Sequence, residues 1–450
     1  MLAGRGKNLM VIGVFLITFG FVMVNYFLIA VACFIILSAL VSLPFFDLGI
    51  NIDVLKVTRH LEKAKVFQDD FIHVTVEIRN TGNKRLDYVD INDVYPKEFF
   101  NCVIGEASIS TRIEPRKSIL FSYVLKPRIR GEFFLGPIEL TVKDRLEFNN
   151  ERREVPDSYT SIIVYPPYGD LRKMDALRGR SIGKMFGSHR SVQVGTGSEF
   201  HGIREYQFGD EFRKINWRAT ARTSRIMVRE LEQEKNINVL VAIDASSTMG
   251  SGSFMNNKIE FAIRAAVILC KVALEHKDMF GGAVFQNNPK KKDDVTKGVR
   301  LLESGAGDQV LFRLLDFIAT TRTAGPKTLG LWMDQLVRQL KKRHLIVLIS
   351  DLEAPIEELK IMFTKVRARS HELIVISPFS PWFEIFGRDL KPAERAIAEA
   401  ISEEMMQHIL ETRQNAQSMG IPIINVGPDD IIQRTIEEYL HAKAKGKASL

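Results

Sequence analysis

The sequence predicts a multidomain protein with an N-terminal transmembrane helical hairpin, an all-β sandwich and a doubly wound α/β domain. Three observations predict this: an uncharged apolar run from Asn8 to Phe46, apolar–polar alternation over residues 51–166, and alternating strand and helix patterns from Ile237 onward. The chain has 450 residues, 46% of them hydrophobic and 26% charged, which is typical of folded domains and too long for one core.

The first part, residues 1–50, contains the apolar run, which carries no Lys, Arg, Asp or Glu. About 20 helical residues cross the hydrocarbon layer of a membrane, so the run is nearly double the length of one span. It therefore predicts two helices, at about residues 9–24 and 26–46, with a turn near Asn25. A single long tilted helix is the alternative.

Basic residues flank the apolar run on both sides. They are Arg5 and Lys7 before it, and Lys56, Arg59, Lys63 and Lys65 after it. Because positive flanks prefer the cytoplasmic side, we expect an integral protein of the cell membrane with its soluble domains in the cytoplasm. If only one helix spanned the membrane, the remaining chain would lie outside.

In residues 51–166 the apolar residues recur at every second position. The segments "FIHVTVEIRN", "SILFSYVLKP" and "FFLGPIELTVKD" alternate apolar and polar residues and end in turn residues. Short strands at this spacing predict an immunoglobulin-like sandwich. No catalytic spacing occurs here, so we interpret this domain as a spacer or docking module.

Residues 167–236 begin as a connector rich in Gly, Arg and Ser and continue into a block dense in charges and aromatics, "EFHGIREYQFGDEFRKINWRATART". Two interpretations are open for the block. One is a binding site for an anion or a partner. The other, which composition favours, is a loop held by ion pairs between Asp210 and arginines, with Trp217 covering a sheet edge.

Residues 237–442 alternate strands and helices, and residues 443–450 form a basic tail. The strands are "INVLVAID", "MFGGAVFQ", "HLIVLISD", "ELIVISP" and "IPIINV", with amphipathic helices between them. This order predicts a mostly parallel sheet covered by helices. Ligands of such sheets bind at the carboxyl ends of the strands, next to helix starts.

Acidic and hydroxyl side chains stand at two of these strand ends. Asp244 ends the first strand, Ser246 and Thr248 follow at alternate positions, and Asp351 ends "HLIVLISD". Hard oxygen donors suit Mg²⁺, with Mn²⁺ or Ca²⁺ as alternatives, and the absence of nearby His or Cys counts against zinc.

Two other interpretations of Asp244 are open. An acid at a strand end often only caps the next helix through backbone N–H groups. Alternatively, Asp244 is the phosphorylated nucleophile of a magnesium-dependent phosphoryl-transfer or hydrolase enzyme. The nucleophile interpretation lacks a second acid two residues on, where Ser246 stands, and lacks a general base such as His.

The order "DASST", then a Thr before a helix, then "ISD" resembles the von Willebrand factor type A (vWA) domain and its metal-ion-dependent adhesion site. The resemblance implies a Rossmann-like fold and a metal ligand set in which Thr248 replaces the last Ser of the motif. It also implies a distant Thr, for which Thr328 is our choice and Thr323 the rival. The implied ligands are Asp244, Ser246, Thr248, Thr328 and Asp351.

The block "EYQFGDEFRKINWRATART", preceded by the hairpin and β-domain and followed by "DASSTM", resembles the domain-of-unknown-function family number 58. The resemblance covers nearly the whole chain. It implies a partner of MoxR-type AAA+ ATPases, implies no enzymatic activity, and leaves the motif block without a known role. The block residues are Arg204, Gly209, Asp210, Arg213, Trp217, Thr220 and Arg222.

The charge distribution and the number of cysteines limit which partners are expected. The net charge is +8, but Lys and Arg are scattered, so we expect contact with membrane lipid and no nucleic-acid binding. Three separated cysteines argue against a disulfide framework. The function expected is therefore a membrane-anchored, non-enzymatic adaptor in which Mg²⁺ leaves one position for an acidic residue of the ATPase or of another membrane or vWA protein. A metal-free scaffold is the alternative.

Overall fold

A computed structural model of the chain describes residues 3–49, 52–144, 148–167, 194–195, 199–232, 236–253, 255–286, 298–386, 391–418 and 420–445. The chain divides into two compact units, Met1–Tyr168 and Gly169–Leu450. Most of the predicted Gly-rich connector and most of the basic tail lie outside the described residues.

The N-terminal apolar run forms two helices, α1 (Gly4–Val22) and α2 (Tyr26–Gly49), that pack against each other. The predicted turn near Asn25 is present, and the Asn25 side chain accepts hydrogen bonds from the first turn of α2. A Cβ atom added at Gly13 would lie 2.6 Å from the Ile36 side chain, so the glycine permits the close approach. Helix α1 is long and apolar enough to cross a membrane, and the apolar part of α2 covers Tyr26–Ser42.

The predicted β-rich domain is confirmed as eleven strands among the described residues. They are β1 (Leu55–Leu61), β2 (Lys65–Phe67), β3 (Ile72–Asn80), β4 (Leu86–Asp93), β5 (Phe100–Ile104), β6 (Ser108–Ile113), β7 (Ser118–Pro127), β8 (Gly131–Leu135), β9 (Ile138–Lys143), β10 (Asn150–Glu154) and β11 (Thr160–Tyr165). Two four-stranded antiparallel sheets, β1-β3-β7-β5 and β10-β9-β4-β6, and a third sheet, β2-β11-β8, share one apolar core.

A buried ion pair ties these sheets together. The Arg59 guanidinium binds the Asp93 carboxylate and donates to the carbonyl of Leu135 at 2.8 Å. The Tyr123 hydroxyl donates to Asp93 at 2.7 Å. Burial and the adjacent Asp93 carboxylate raise the pKa of Tyr123, so this hydroxyl keeps its proton and serves as a donor.

The second unit begins with a small sheet rather than a simple connector. Strands β12 (Val194–Gly195), β14 (Met227–Glu232) and β13 (Glu199–Glu205) lie side by side in that order, and helix α3 (Trp217–Thr223) contacts β14. This sheet was not predicted, because two of its strands consist largely of charged and small residues.

A six-stranded sheet forms the centre of the second unit, in the order β19-β18-β15-β20-β21-β22. Its strands are β15 (Asn238–Asp244), β18 (Met279–Phe285), β19 (Val299–Gly305), β20 (Leu345–Ile349), β21 (Glu372–Pro378) and β22 (Ile423–Val426). All neighbours are parallel except β18 and β19. The antiparallel edge strand β19 was not predicted, since its residues mix charged and apolar types without clear alternation.

Helices connect these strands, and the short one at Ser380–Ile385 was not predicted while the others were. They are α4 (Lys258–Glu275), α5 (Gln309–Ala319), α6 (Leu329–Gln339), α7 (Ile356–Ala368), α8 (Ser380–Ile385), α9 (Pro392–Ser418) and α10 (Ile431–Ala444), and a two-strand ribbon, β16 (Gly252–Ser253) with β17 (Asn256–Asn257), precedes α4. Alternate β15 residues pack in one core with α6 and α7, as Leu240 does with Trp332. Helix α4 packs against β15 and β18, whose remaining residues are also buried, so helices cover both faces.

Two buried histidines stand at the amino ends of β20 and β21. The His344 N–H donates to His371 Nδ1 at 3.2 Å. Burial, together with the nearby His344, Arg369 and Arg343, lowers the pKa of His371 from 6.5 to about 4. Between these two pH values the unfolded chain therefore binds a proton that the folded chain does not.

We predict that the free energy of unfolding falls as the pH drops from 6.5 to 4. The loss should be about 2 kcal/mol, less than the full shift implies because the ring is partly solvated. His371→Asn keeps an acceptor for the His344 N–H and should flatten this slope, measured by thermal unfolding of the full chain in detergent. The exposed His60→Asn is the control. Equal slopes in all three proteins would contradict the prediction.

Candidate functional site

The carboxyl ends of β15 and β20 bring the two predicted aspartates to the same edge of the sheet. The strands are parallel neighbours in which Ile243 pairs with Ile349, so Asp244 is level with Ser350 and Asp351 follows one residue further along the chain. Both side chains are buried, with residue exposures of 0% and 3%. Two carboxylates at this depth need partners, because an unpaired buried charge is strongly unfavourable.

Asp244 uses both of its oxygens. Oδ1 accepts the backbone N–H of Ser246 at 2.9 Å, and Oδ2 accepts the Ser350 hydroxyl at 2.7 Å. The Ser246 and Thr248 hydroxyls lie 3.2 Å apart, at the start of a 3₁₀ turn over Ser247–Gly250. The structure therefore brings these three predicted residues together. Because Asp244 is fully engaged, it gives the nucleophile interpretation no support.

The segment before α6 packs against this turn from the other side. The Ser247 N–H donates to the Gly325 carbonyl at 3.0 Å, and the Ala324 N–H donates to the Ala245 carbonyl at 2.9 Å. Thr328 occupies the N-cap position of α6, and its buried hydroxyl has no hydrogen-bond partner among the described residues. The rival Thr323 lies on the same segment, next to Gly250.

Two lysines that the sequence analysis did not identify occupy the space between the carboxylates. Lys327 Nζ lies 3.1 Å from Asp244 Oδ2 and also contacts Asp351 Oδ1. Lys258 Nζ lies 2.5 Å from Asp351 Oδ2, 2.7 Å from the Ser380 hydroxyl and 3.3 Å from Glu353. Their side chains are 5% and 0% exposed. We call Asp244, Asp351, Lys258 and Lys327 the lysine–aspartate cluster.

Local structure delivers Lys258 to this cluster. It is the first residue of α4, its backbone N–H donates to the Ser251 carbonyl at 3.1 Å, and the preceding Asn257 caps the helix. Burial lowers the pKa of Lys258 and of Lys327, and the neighbouring carboxylates act in the opposite direction. A buried lysine at the start of an apolar helix is rarely expected from sequence, since lysine is almost never fully buried unless it is paired.

The residue types at this edge suit a divalent cation, but their charges do not fit one. The hydroxyls and the unpartnered Thr328 oxygen are suitable ligands. However, two ammonium groups already balance the two aspartates, and Lys327 bridges both of them. Within the described residues, no group of three or more His, Cys, Asp or Glu is arranged to hold a metal. No chemistry is therefore assigned to a metal here.

The cavity beside the cluster is small. It has a volume of about 90 Å³ and is lined by Asp351, Glu353 and Ser380 together with Met405 and Ile409 of α9. Pockets for small-molecule ligands are typically about 300 to 1,000 Å³. This cavity therefore offers no support for a small-molecule substrate at the strand ends.

Part of the predicted motif block stabilises the fold of its own segment. Arg204 donates two hydrogen bonds to Asp210, at 2.7 and 2.6 Å. This contact, with the Gln207 N–H, lowers the pKa of Asp210 to about 2. Gly209 adopts a φ of +107°, and the Thr220 hydroxyl accepts the Met227 N–H at 3.0 Å. The predicted Asp210–arginine pair is thus present.

The other motif residues face solvent. Trp217 is 68% exposed and does not cover a sheet edge, contrary to the structural interpretation of the block. Phe208 and Phe212, not singled out from sequence, are 105% and 76% exposed. We define the aromatic–arginine surface as the exposed residues Phe208, Phe212, Arg213, Trp217, Arg218 and Arg222.

Residues 202–379 match the family described as "Protein of unknown function DUF58". We call this matched part of the chain the DUF58 segment. The matched region contains both the aromatic–arginine surface and the lysine–aspartate cluster, so the two features lie within one DUF58 segment. The family description assigns no activity to either of them.

Relatives of the chain include uncharacterized proteins. The uncharacterized protein Rv1480 of Mycobacterium tuberculosis (strain ATCC 25618 / H37Rv) is 25% identical over 241 residues, which are 50% of this chain and 73% of Rv1480. The uncharacterized protein YeaD of Bacillus subtilis (strain 168) is 25% identical over 202 residues, which are 43% of this chain and 48% of YeaD. The chain thus spans about half the length of YeaD.

Solved structures similar to the chain include vWA proteins. A von Willebrand factor type A protein from Catenulispora acidiphila is 14% identical with a TM-score of 0.30, covering 49% of this chain and 44% of that one. The conserved hypothetical protein BatB from Bacteroides thetaiotaomicron is 16% identical with a TM-score of 0.29, covering 47% of this chain and 100% of that one. Scores this low do not establish a shared fold.

We predict that Lys258→Met lowers the free energy of unfolding by about 3 to 5 kcal/mol, because it leaves Asp351 buried with one of its two cationic partners removed. The measurement is thermal unfolding of the full chain in detergent. The control is Lys365→Met, which breaks a partly exposed pair with Asp334 at 3.3 Å and should cost less than about 1 kcal/mol. Equal losses in the two variants would show that the lysine–aspartate cluster does not hold the strand ends together.

Proposed function

We propose that this chain is a membrane-anchored protein-interaction adaptor that binds its partner through the aromatic–arginine surface of the DUF58 segment. The observation that carries the proposal is the exposure of Phe208, Phe212 and Trp217, at 105%, 76% and 68%. Burying an aromatic side chain is strongly favourable, so several exposed ones in one short segment are typical of a binding surface. Trp and Arg are also the residues most enriched at binding hot spots.

The charges of this segment indicate what kind of partner fits. Three of its cations are paired with neighbouring carboxylates: Arg204 with Asp210, Lys214 with Glu211, and Arg225 with Glu205. Within the part of the chain that the structure describes, Arg213, Arg218 and Arg222 have no carboxylate within ion-pair distance. An acidic surface on a partner would complement these three exposed guanidinium groups.

We propose a MoxR-type AAA+ ATPase as the partner, following the family resemblance, and we propose that α1 and α2 anchor the chain in the membrane. The vWA-like character of the α/β unit supports a role in protein interaction and is itself part of this proposal. No catalytic step belongs to it. We leave a metal out of this proposal because Lys258 and Lys327 balance the aspartates at the strand ends. The Mg²⁺-dependent adaptor expected from the sequence is a separate prediction.

Partner capture tests the adaptor. Full-length chain in lipid nanodiscs is immobilised, and binding of the purified ATPase is measured by interferometry over a range of salt concentrations. Trp217→Ala should weaken binding about tenfold or more, because the indole would be lost from the interface. Arg218→Glu should weaken binding and reduce its salt dependence, since one attractive charge pair would be replaced by repulsion.

The matched control is Tyr159→Ala, which removes an aromatic side chain that is 58% exposed in the other unit and should leave binding unchanged. An unrelated single-stranded oligonucleotide added as competitor should also have no effect. The adaptor proposal fails if the ATPase binds the wild-type chain and the Trp217→Ala variant equally well, or if it binds neither.

Topology is predicted by the basic flanks of the apolar helices. Arg5 and Lys7 lie in the first turn of α1, and Lys56, Lys63 and Lys65 follow α2, so both ends should face the cytoplasm. A reporter enzyme fused after Ala448 should be active only on the cytoplasmic side. A variant in which the charges of Arg5 and Lys7 are reversed serves as the comparison, because it lacks the positive flank at the start of the apolar run. Activity on the opposite side in the unaltered chain would indicate a single span.

A further inference from the structure

The charges of the lysine–aspartate cluster are arranged as in a cation-binding site. Here, however, the cation is an ammonium group of the protein itself. A divalent ion at the strand ends would bridge Asp244 and Asp351 and neutralise both of them. Lys327 Nζ makes the same bridge, lying 3.1 Å from Asp244 Oδ2 and in contact with Asp351 Oδ1. Lys258 supplies the second positive charge, at 2.5 Å from the other Asp351 oxygen.

The backbone around Lys327 is held in place, so its position does not depend on the side chain alone. Gly325 adopts a φ of +74°, and its carbonyl accepts the Ser247 N–H at 3.0 Å. Helix α6 begins immediately after Thr328. The segment is therefore bonded to the turn after β15 on one side and continues into a helix on the other, which directs Lys327 toward the carboxylates.

Added Mg²⁺ would face unfavourable conditions at this position. The aspartate oxygens that it requires are already bonded to ammonium groups, and a doubly charged ion would lie beside the positive charge of Lys327. Among the described residues the buried Thr328 hydroxyl has no hydrogen-bond partner, so its oxygen is available as a ligand. Replacing the lysine would remove the repulsion and expose the oxygens together.

We propose that Lys327 takes the place of the divalent cation at the strand ends, so that the wild-type site holds no Mg²⁺, and that removing this side chain creates a Mg²⁺ site. The ligands of the created site are Asp244, Ser246, Thr248, Thr328 and Asp351. The proposal concerns metal occupancy alone. It does not depend on the adaptor function, and its test contains no partner protein.

Calorimetric titration of Mg²⁺ into the full-length chain in detergent, after treatment with EDTA, tests this. The wild-type chain should show no saturable binding and no rise of its unfolding temperature with Mg²⁺. Lys327→Ala should bind Mg²⁺ at least about tenfold more tightly than the wild type and should be stabilised by it. Adding Asp244→Ala to that variant should abolish the gain. Lys365→Ala, which removes a partly exposed lysine, is the matched control and should behave as the wild type.

If Lys327→Ala does not fold, Lys327→Gln serves instead, because its amide still donates to the carboxylates while the charge is lost. Two results overturn the proposal. The first is saturable Mg²⁺ binding by the wild-type chain that is lost in Asp244→Ala, which would mean that the metal displaces the lysine. The second is a folded Lys327 variant that gains no affinity for Mg²⁺, which would mean that these oxygens do not form a cation site.

Discussion

The pairing of Asp244 and Asp351 with Lys258 and Lys327 is the interaction on which the α/β unit depends. The two aspartates end neighbouring parallel strands and are excluded from water, so their charges must be balanced locally. The ion pairs of the cluster connect four parts of the unit: β15, the segment after β20, the first residue of α4, and the segment before α6. The charge requirement thus holds together the edge of the sheet at which ligands of such folds usually bind.

Burial separates the DUF58 motif residues into two groups. Arg204, Asp210 and Thr220 make hydrogen bonds within their own segment, and these bonds account for their presence. Trp217 and Arg222 face solvent. The first group forms the small β12-β14-β13 sheet with α3, and that sheet presents the second group. The fold of this segment and its proposed binding role therefore use different residues of one motif.

Much of the fold could be predicted because burial imposes periodicity. Residues buried on both faces make a strand such as β15 continuously apolar. Edge elements were harder to predict. Strand β19 is covered on fewer sides, and its "VRLLESG" mixes exposed and buried residues. The same reason applies to β12 and β13, whose pairing with β14 depends on backbone bonds rather than on an apolar pattern.

The sequence by itself determined the order of the buried strands and of the long helices, the position of the acids near the strand ends, and the uncharged N-terminal run. Only the tertiary structure decided what neutralises those acids. Lys258 is 93 residues from Asp351, and Lys327 is 24 residues from it. An ion pair depends on distance in space, and lysine carries no local signal that distinguishes a solvated side chain from a buried one. Oxygen ligands at strand ends suggest a metal until the fold places two ammonium groups among them.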